Sequence, residues 1–466
     1  GADDQELGAV GDHVAELRGR VGEGTQLGGV EVDLHHRARI GPRLRVEALE
    51  SCQQGFSSGG HIFGDDYRMP GYPILVAVMR LLPGSTAGAV GTVQHLAGAL
   101  FAVAVLLVAW RFFGRFTAVV SGALVAVAPL ELFSEHALLP DFAFGVLVFA
   151  AVALTAEAAM RDRPGVWLLA GIGALLAAAA YVKPNALVLI LLVPLAFLLA
   201  RRGWRAALRP TLVCGAVLAV ALAPWGVRNW IRDGTPALTT QGGASLWVSA
   251  FDQDGLPFPS PGNARERLAI AAAGRAKAMK EAAGLPGLTY AQVFQELREA
   301  GATPKEAADA MGAIAVRSIA AHPGDYLDGA GHVLRLEWRM TGIPRRPAER
   351  MDEVLDDAPG LGPVTVSRAA VGAGGFVFSA WWFLTLGGLS GLALLVSADR
   401  RERTGASAYL AGWGLLAFGT ALTNTIDLRY VAQLAPLVWT VGTAGTAFAV
   451  RTVADGLRAR RAASVQ

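Results

Sequence analysis

The sequence predicts an all-α polytopic membrane protein, a helical bundle with a further helical segment outside the lipid. Three observations predict it. Hydrophobic residues make up 53% of the chain and charged residues 17%, against roughly 25% charged in an average soluble domain; the mean hydropathy is +0.41. Apolar stretches approach about 20 residues, the length of helix that crosses a hydrocarbon core of about 30 Å. Short arginine clusters punctuate every second connection between them. A net charge of +3 distributed in that way indicates membrane orientation and not a nucleic-acid-binding patch.

The candidate spans are 89–111, 117–133, 141–160, 166–182, 184–200, 207–225, 371–397, 407–424 and 430–450. Arg111 and Arg115 follow the first, Arg161 to Arg163 the third, Arg201 to Arg205 the fifth, Asp399 to Arg403 the seventh and Arg458 to Arg461 the last. The positive-inside rule makes those connections cytoplasmic. The alternate connections are then extracytoplasmic: Ser134–Asp141, Val182–Asn185, the long segment 226–370, and Asn424–Tyr430. The chain therefore divides into an atypical segment 1–57, an outer juxtamembrane loop and short interfacial helix over 58–88, a bundle of about six spans over 89–225, an extracytoplasmic helical segment over 226–370, a bundle of about three spans over 371–450, and a basic cytoplasmic tail, 451–466.

Within the outer segment, helices are expected at 263–283, 290–300, 304–321 and 323–339. Thr303, Pro304 and Glu306 form the pattern of a capping box with proline at the first helical position, and Thr289 with Gln292 repeats its Thr-x-x-Gln version. The two cysteines, Cys52 and Cys214, have no metal-ligand spacing, and Cys214 lies in an apolar run, so no disulfide is expected. Residues 1–57 hold no apolar run of spanning length and read as a frameshifted or disordered stretch. The paired histidines His35 and His36 there are weak evidence for a metal, whose presence is left open.

Polar residues gather at the outer ends of the spans: Asp65, Asp66, Tyr67 and Arg68; Glu135, His136 and Asp141; Lys183; Arg228 and Asn229; Asp427 and Arg429. Each has a bland alternative. Asp141 could cap the helix that begins there, Lys183 and Arg228 could snorkel to head groups, Asp65 and Asp66 could be a solvated turn, and Glu135 could be loop decoration. Acids and bases converging on one side of the membrane mark a place where a lipid head group and a water-soluble partner could meet.

The ordered stretches GDDYRMPGYP (from Gly64), LLPDFAF (from Leu138), YVKPNALVL (from Tyr181), LAPWGVRNW (from Leu222), AAHPGDYL (from Ala320) and DLRYVAQLAPL (from Asp427) together resemble the family 39-type glycosyltransferases of the GT-C superfamily. Their relatives include the aminoarabinose transferase and the protein O-mannosyltransferases. The resemblance spans roughly residues 58–450. It implies a multi-pass plasma-membrane enzyme of the cell envelope that takes a polyprenyl-phosphate sugar as donor, contacts membrane lipids, and passes the sugar to a glycan, lipid or protein acceptor on the extracytoplasmic face. Departure of the phosphate needs fixed positive charge, from a cation or a divalent metal; Arg68, Lys183, Arg228 and Arg429 are the candidates for holding it. The acceptor needs a carboxylate to take its proton, for which Asp65, Asp66, Glu135 and Asp141 are the candidates. Family members place their main catalytic acid just after a first transmembrane helix that residues 1–57 do not supply, so an inactive truncated member is one alternative. A transporter or flippase for a lipid-linked or small solute is another, and it would place ionisable groups at mid-span.

Overall fold

Without water to satisfy them, backbone N–H and C=O groups in lipid must bond within their own segment, which for an apolar chain means helix. A computed structural model describes residues 69–79, 81–82, 86–136, 140–234, 236–239, 241–282, 289–340, 389–423 and 433–465, and among these residues there is no strand. Among the described residues, five helices are long and apolar enough to cross a membrane: Gly88–Phe113, Asp141–Met160, Trp204–Arg232, Arg400–Leu422 and Ala435–Ser464. Three shorter apolar helices, Arg115–Val127, Val166–Val182 and Pro184–Leu199, pack among them.

In chain order the bundle begins with α1 (Gly71–Met79), α2 (Thr86–Phe113), α3 (Arg115–Val127) and α4 (Pro129–His136). The apolar run 117–133 is therefore two helices and not one. Ala128 is extended (ψ 120°), because a residue that precedes proline is pushed out of the α region. Next come α5 (Asp141–Met160), α6 (Val166–Val182), a 3₁₀ segment (Pro184–Leu191) that continues into α7 (Leu192–Leu199), and α8 (Trp204–Asp233). Helix α8 overruns the expected end at 225 and carries Pro210 and Pro224 in its interior, as lipid-embedded helices tolerate. The core joins α2, α5 and α14 (Arg400–Thr423) through edge-to-face rings: Phe101 on Phe149 at 5.2 Å, Phe149 on Tyr409 at 5.8 Å, and Tyr409 on Phe113 at 5.8 Å. The last helix is α15 (Ala435–Val465).

The basic connections converge at one end of this bundle. Asp162 accepts hydrogen bonds from Arg202 and Arg400, both at 2.9 Å, which hold its carboxyl below the usual range. Arg202 also donates to the Arg161 carbonyl, Arg400 to the Met160 carbonyl, and Arg111 pairs with Glu157. These pairs are exposed and individually worth little. Their value is topological: the ends of α2, α5, α7 and the start of α14 lie together, as alternation of basic loops requires.

Beyond the other end, α9 (Gln241–Trp247) runs into a π-helical turn (Val248–Gln253), followed by α10 (Ala264–Ala282), α11 (Tyr290–Glu299), α12 (Pro304–Ala321) and α13 (Pro323–Met340). Their core is Trp247 packed with Ala269, Val293, Leu297, Met311 and Ile314. Gly243 is required here, since a Cβ would fall 1.9 Å from the Ala308 carbonyl oxygen. The capping box at Thr303 and Glu306 is formed in full. The second expected box is not: Thr289 makes no cap bond through its side chain, and its hydroxyl and N–H both donate to Asp252 on the π turn. At the start of α10, Asn263 Oδ1 accepts from the Glu266 N–H at 2.9 Å, and the Glu266 carboxylate reaches one residue further back, to the Gly262 N–H. The same Glu266, 3% exposed, receives both guanidinium nitrogens of Arg317, so one carboxylate ties α10 to α12.

The Arg317 hydrogen bond is the main reason the Glu266 carboxyl sits below its ordinary range. A depressed carboxyl stabilises the fold above the ordinary glutamate value of about 4.3 and loses that contribution as the pH falls through its folded value. Replacing Arg317 with Met is expected to strand a buried charge and to destabilise this helical segment by about 2–4 kcal/mol at neutral pH. The loss should shrink as the pH falls from about 5, read by thermal unfolding across pH.

Candidate functional site

Opposite the arginine end, α5 begins, α6 ends and α8 ends. An aspartate at the first position of a helix can cap it or look elsewhere. The Asp141 side chain is 1% exposed and bonds outside its own helix. Its Oδ1 accepts from Lys183 Nζ at 2.5 Å and from Gln433 Nε2 at 2.5 Å. Its Oδ2 has no hydrogen-bond partner. Lys183 is extended (φ −144°, ψ 121°) between the last turn of α6 and the proline that opens the 3₁₀ segment; that break aims its side chain at Asp141. The ammonium also lies 5.6 Å from the centre of the Phe144 ring. Lys183 is thus a buried, paired cation (side chain 12% exposed) and not a snorkelling anchor.

Near the end of α8, the Arg228 guanidinium stacks at 4.4 Å over Trp225 and donates to Asn229 Oδ1 at 2.6 Å. Asn229 in turn donates to the Ala237 carbonyl, and Trp225 Nε1 to the Leu238 carbonyl. The loop after α8 therefore fixes the platform on which Arg228 rests.

The third group is on α2 and α4. Glu135 is not loop decoration: it is 5% exposed and its Oε2 lies 2.8 Å from His95 Nδ1. Gln94 donates to the Glu135 carbonyl at 2.8 Å, and Tyr72 of α1 donates to Gln94 Oε1 at 3.5 Å. Glu131, one turn earlier, is also buried.

At this end of the bundle lies a groove of about 870 Å³ that Arg228, Trp225 and Gln94 line, with Phe142 and Val182 placing it next in sequence to Asp141 and Lys183. Its walls are apolar: Ile74 and Met79 of α1, Phe142 and Leu147 of α5, and Val182 and Trp225 of α6 and α8, with Arg228 and Gln94 as polar members. Gly71 lets α1 close one side. A Cβ there would fall 2.6 Å from the Tyr181 carbonyl, so the backbones of α1 and α6 touch where a larger residue would force them apart.

Of the residues singled out in the sequence, Asp141, Lys183, Glu135 and Arg228 all lie at the end of the bundle opposite the arginines. Asp65, Asp66, Arg68 and Arg429 fall outside the described residues, as does Asp427. Gln433 was missed. Its signal was a lone amide inside the apolar run from Val431 to Trp439, because an amide buried there must find a partner. Among the described residues no group of His, Cys, Asp and Glu is arranged to hold a metal ion.

Comparison with known proteins adds the following. Residues 68–227, about a third of the chain, match the family model described as dolichyl-phosphate-mannose-protein mannosyltransferase. Two similar solved structures are those of ArnT from Cupriavidus metallidurans, one in the apo state and one bound to undecaprenyl phosphate. They are 15% and 16% identical, with TM-scores of 0.32 and 0.31, each covering 81% of this chain and 68% of that one; overlays so loose place no residue. No curated protein matches the chain.

The Asp141–Lys183 pair makes a stability prediction. Removing one member of a buried pair leaves an uncompensated charge. Asp141→Ala is expected to destabilise the protein in detergent by about 3 kcal/mol, and adding Lys183→Met should recover part of that loss. Simple addition of the two single losses in thermal unfolding would show that the two side chains do not share one interaction.

Proposed function

We propose that this chain is a membrane glycosyltransferase of the GT-C superfamily that takes a polyprenyl-phosphate sugar as donor and transfers the sugar to an acceptor on the extracytoplasmic face of the plasma membrane. The observation that carries the reading is the groove. An apolar trough walled by five helices, with a guanidinium among its lining residues and Lys183 one residue beyond its wall at Val182, has the two chemistries of a lipid phosphate, a hydrocarbon tail and an anionic head. The family description, which names a lipid-phosphate sugar, supports the same class of donor. The side is supported by the arginine end: if that end is cytoplasmic, as the positive-inside rule has it, the groove opens outward.

In this reading the tail lies against Ile74, Leu147 and Val182, and the phosphate faces Arg228 and Lys183. The acceptor hydroxyl or amine attacks the anomeric carbon, the bond from that carbon to the phosphate oxygen breaks with its electron pair, and the phosphate leaves with additional negative charge. Arg228, held flat on Trp225, and Lys183, held by Asp141, meet that charge with little reorganisation. The acceptor's proton passes to a carboxylate. Asp65 and Asp66, on the segment that precedes α1, are the first candidates, and Glu135 is the second. Asp141, already engaged with Lys183, serves to aim that cation. Arg68 and Arg429 are further candidates for the phosphate.

The Asp141–Lys183 pair and Arg228 sit towards helix ends and not at mid-span, which favours transfer at the interface over transport through the bilayer. The test is transfer of radiolabelled sugar from polyprenyl phosphate in membranes containing the chain. Lys183→Ala and Arg228→Ala are each expected to lower transfer about 100-fold or more at unchanged expression, and wild-type rates in both variants would remove the site.

A further inference from the structure

We propose that Gln433 is a positioning residue for Lys183: by holding Asp141 from the C-terminal helix pair, it sets where the ammonium of the donor site stands. The inference rests on the donor-site reading above and adds a residue that the reading does not need.

The observation is that two donors share one oxygen. Asp141 Oδ1 accepts from Lys183 Nζ and from Gln433 Nε2, both at 2.5 Å, while Oδ2 accepts from nothing. A carboxylate paired with a lysine alone can rotate and offer either oxygen. The amide removes that freedom by fixing which oxygen faces the ammonium and in which direction. Gln433 is 6% exposed and 292 residues from Asp141 in sequence, so the bond joins two regions of the bundle that no nearby loop connects.

Gln433 stands two residues before α15, in the turn Gln433–Leu434 that leads into the helix. Helix α15 packs on α14, and α14 lies against α5 through Gly412, where a Cβ would fall 2.6 Å from Val152. Midway along α15, Arg451 pairs with Glu402 in the first turn of α14. The C-terminal pair is thus tied to α5 through α14, and Gln433 is where that frame reaches the donor site. A shift of α15 relative to α5 would move the amide, then the carboxylate, then the ammonium.

The test replaces Gln433 with Leu and, separately, with Met, which keeps length without a donor. An amine-reactive reagent applied to the purified folded protein, with site-resolved mass spectrometry, reads Lys183 directly and needs no activity. Lys183 is expected to react at least five-fold faster in both variants, while Lys305 on the outer helices reacts at its wild-type rate, which shows that the fold is intact. Equal Lys183 rates in wild type and both variants would overturn the proposal. In the transfer assay, Gln433→Leu is expected to lower kcat about ten-fold and to cause no further loss on a Lys183→Met background. Losses that multiply across the two positions would equally overturn it, since they would mean that Gln433 acts elsewhere. If Lys183 labelling responds as expected and the wild-type protein transfers no sugar, the positioning role stands and the glycosyl-transfer reading of the groove fails.

Discussion

The structure turns on a carboxylate that has almost no access to water. Asp141 is 1% exposed, at the mouth of a helix long and apolar enough to cross a membrane, and a bare carboxylate there would be costly. Its pairing with Lys183 fixes the end of α6 beside the start of α5. The chain must then break its helix at Lys183 and restart through Pro184, which it does. At the other end of the same helices, Arg202 and Arg400 meet at Asp162. The bundle is therefore polar at its two ends for different reasons. One end is a solvated arginine cluster, and the other holds a buried carboxylate paired with a lysine, one residue beyond the groove-lining Val182.

That groove divides labour among its walls. Apolar side chains of α1, α5 and α6 line most of it, while Arg228, the cation in its wall, is held by Trp225 and Asn229, and Lys183 by Asp141. The short helix α1 forms one wall of the groove. It stays in place because Gly71 lets its backbone meet that of Tyr181 and because Tyr72 reaches Gln94. The outside of the bundle carries large exposed apolar residues, among them Leu100, Phe116, Leu212 and Val220, as a surface facing lipid does.

Much of the helical layout was legible because it follows from local rules. The start of α5 at Asp141, the end of α6 at Val182 and the capped start of α12 at Thr303 are each written in a few neighbouring residues. The break at Ala128 was legible in principle from Pro129. The overrun of α8 past Pro224 was not, because a proline in lipid can end a helix or sit inside one. Thr289 shows the same limit: its sequence fits a capping box, but a π turn delivers Asp252 to its N–H, and no pattern around Thr289 reveals that. The site was legible in its members and not in its connections. Asp141 and Lys183 could each be singled out from position alone, yet their pairing across 42 residues, and the link to Gln433 across 292, depend on how the spans pack. Arg228 read as an interface cation; only the fold shows that Trp225 and Asn229 hold it at a groove.

The most direct measurement is photo-crosslinking with a polyprenyl phosphate that carries a benzophenone on its isoprenoid chain, added to the purified protein and mapped by peptide. The expected adducts lie on the groove walls, within 70–79, 142–147 and 178–182 or 224–228, and they fall off sharply when Arg228 is replaced by Ala or when unlabelled polyprenyl phosphate competes. Adducts spread around the lipid-facing perimeter at Leu100, Leu212 and Val220, indifferent to Arg228 and to competitor, would contradict the assignment of this groove to a lipid-borne phosphate.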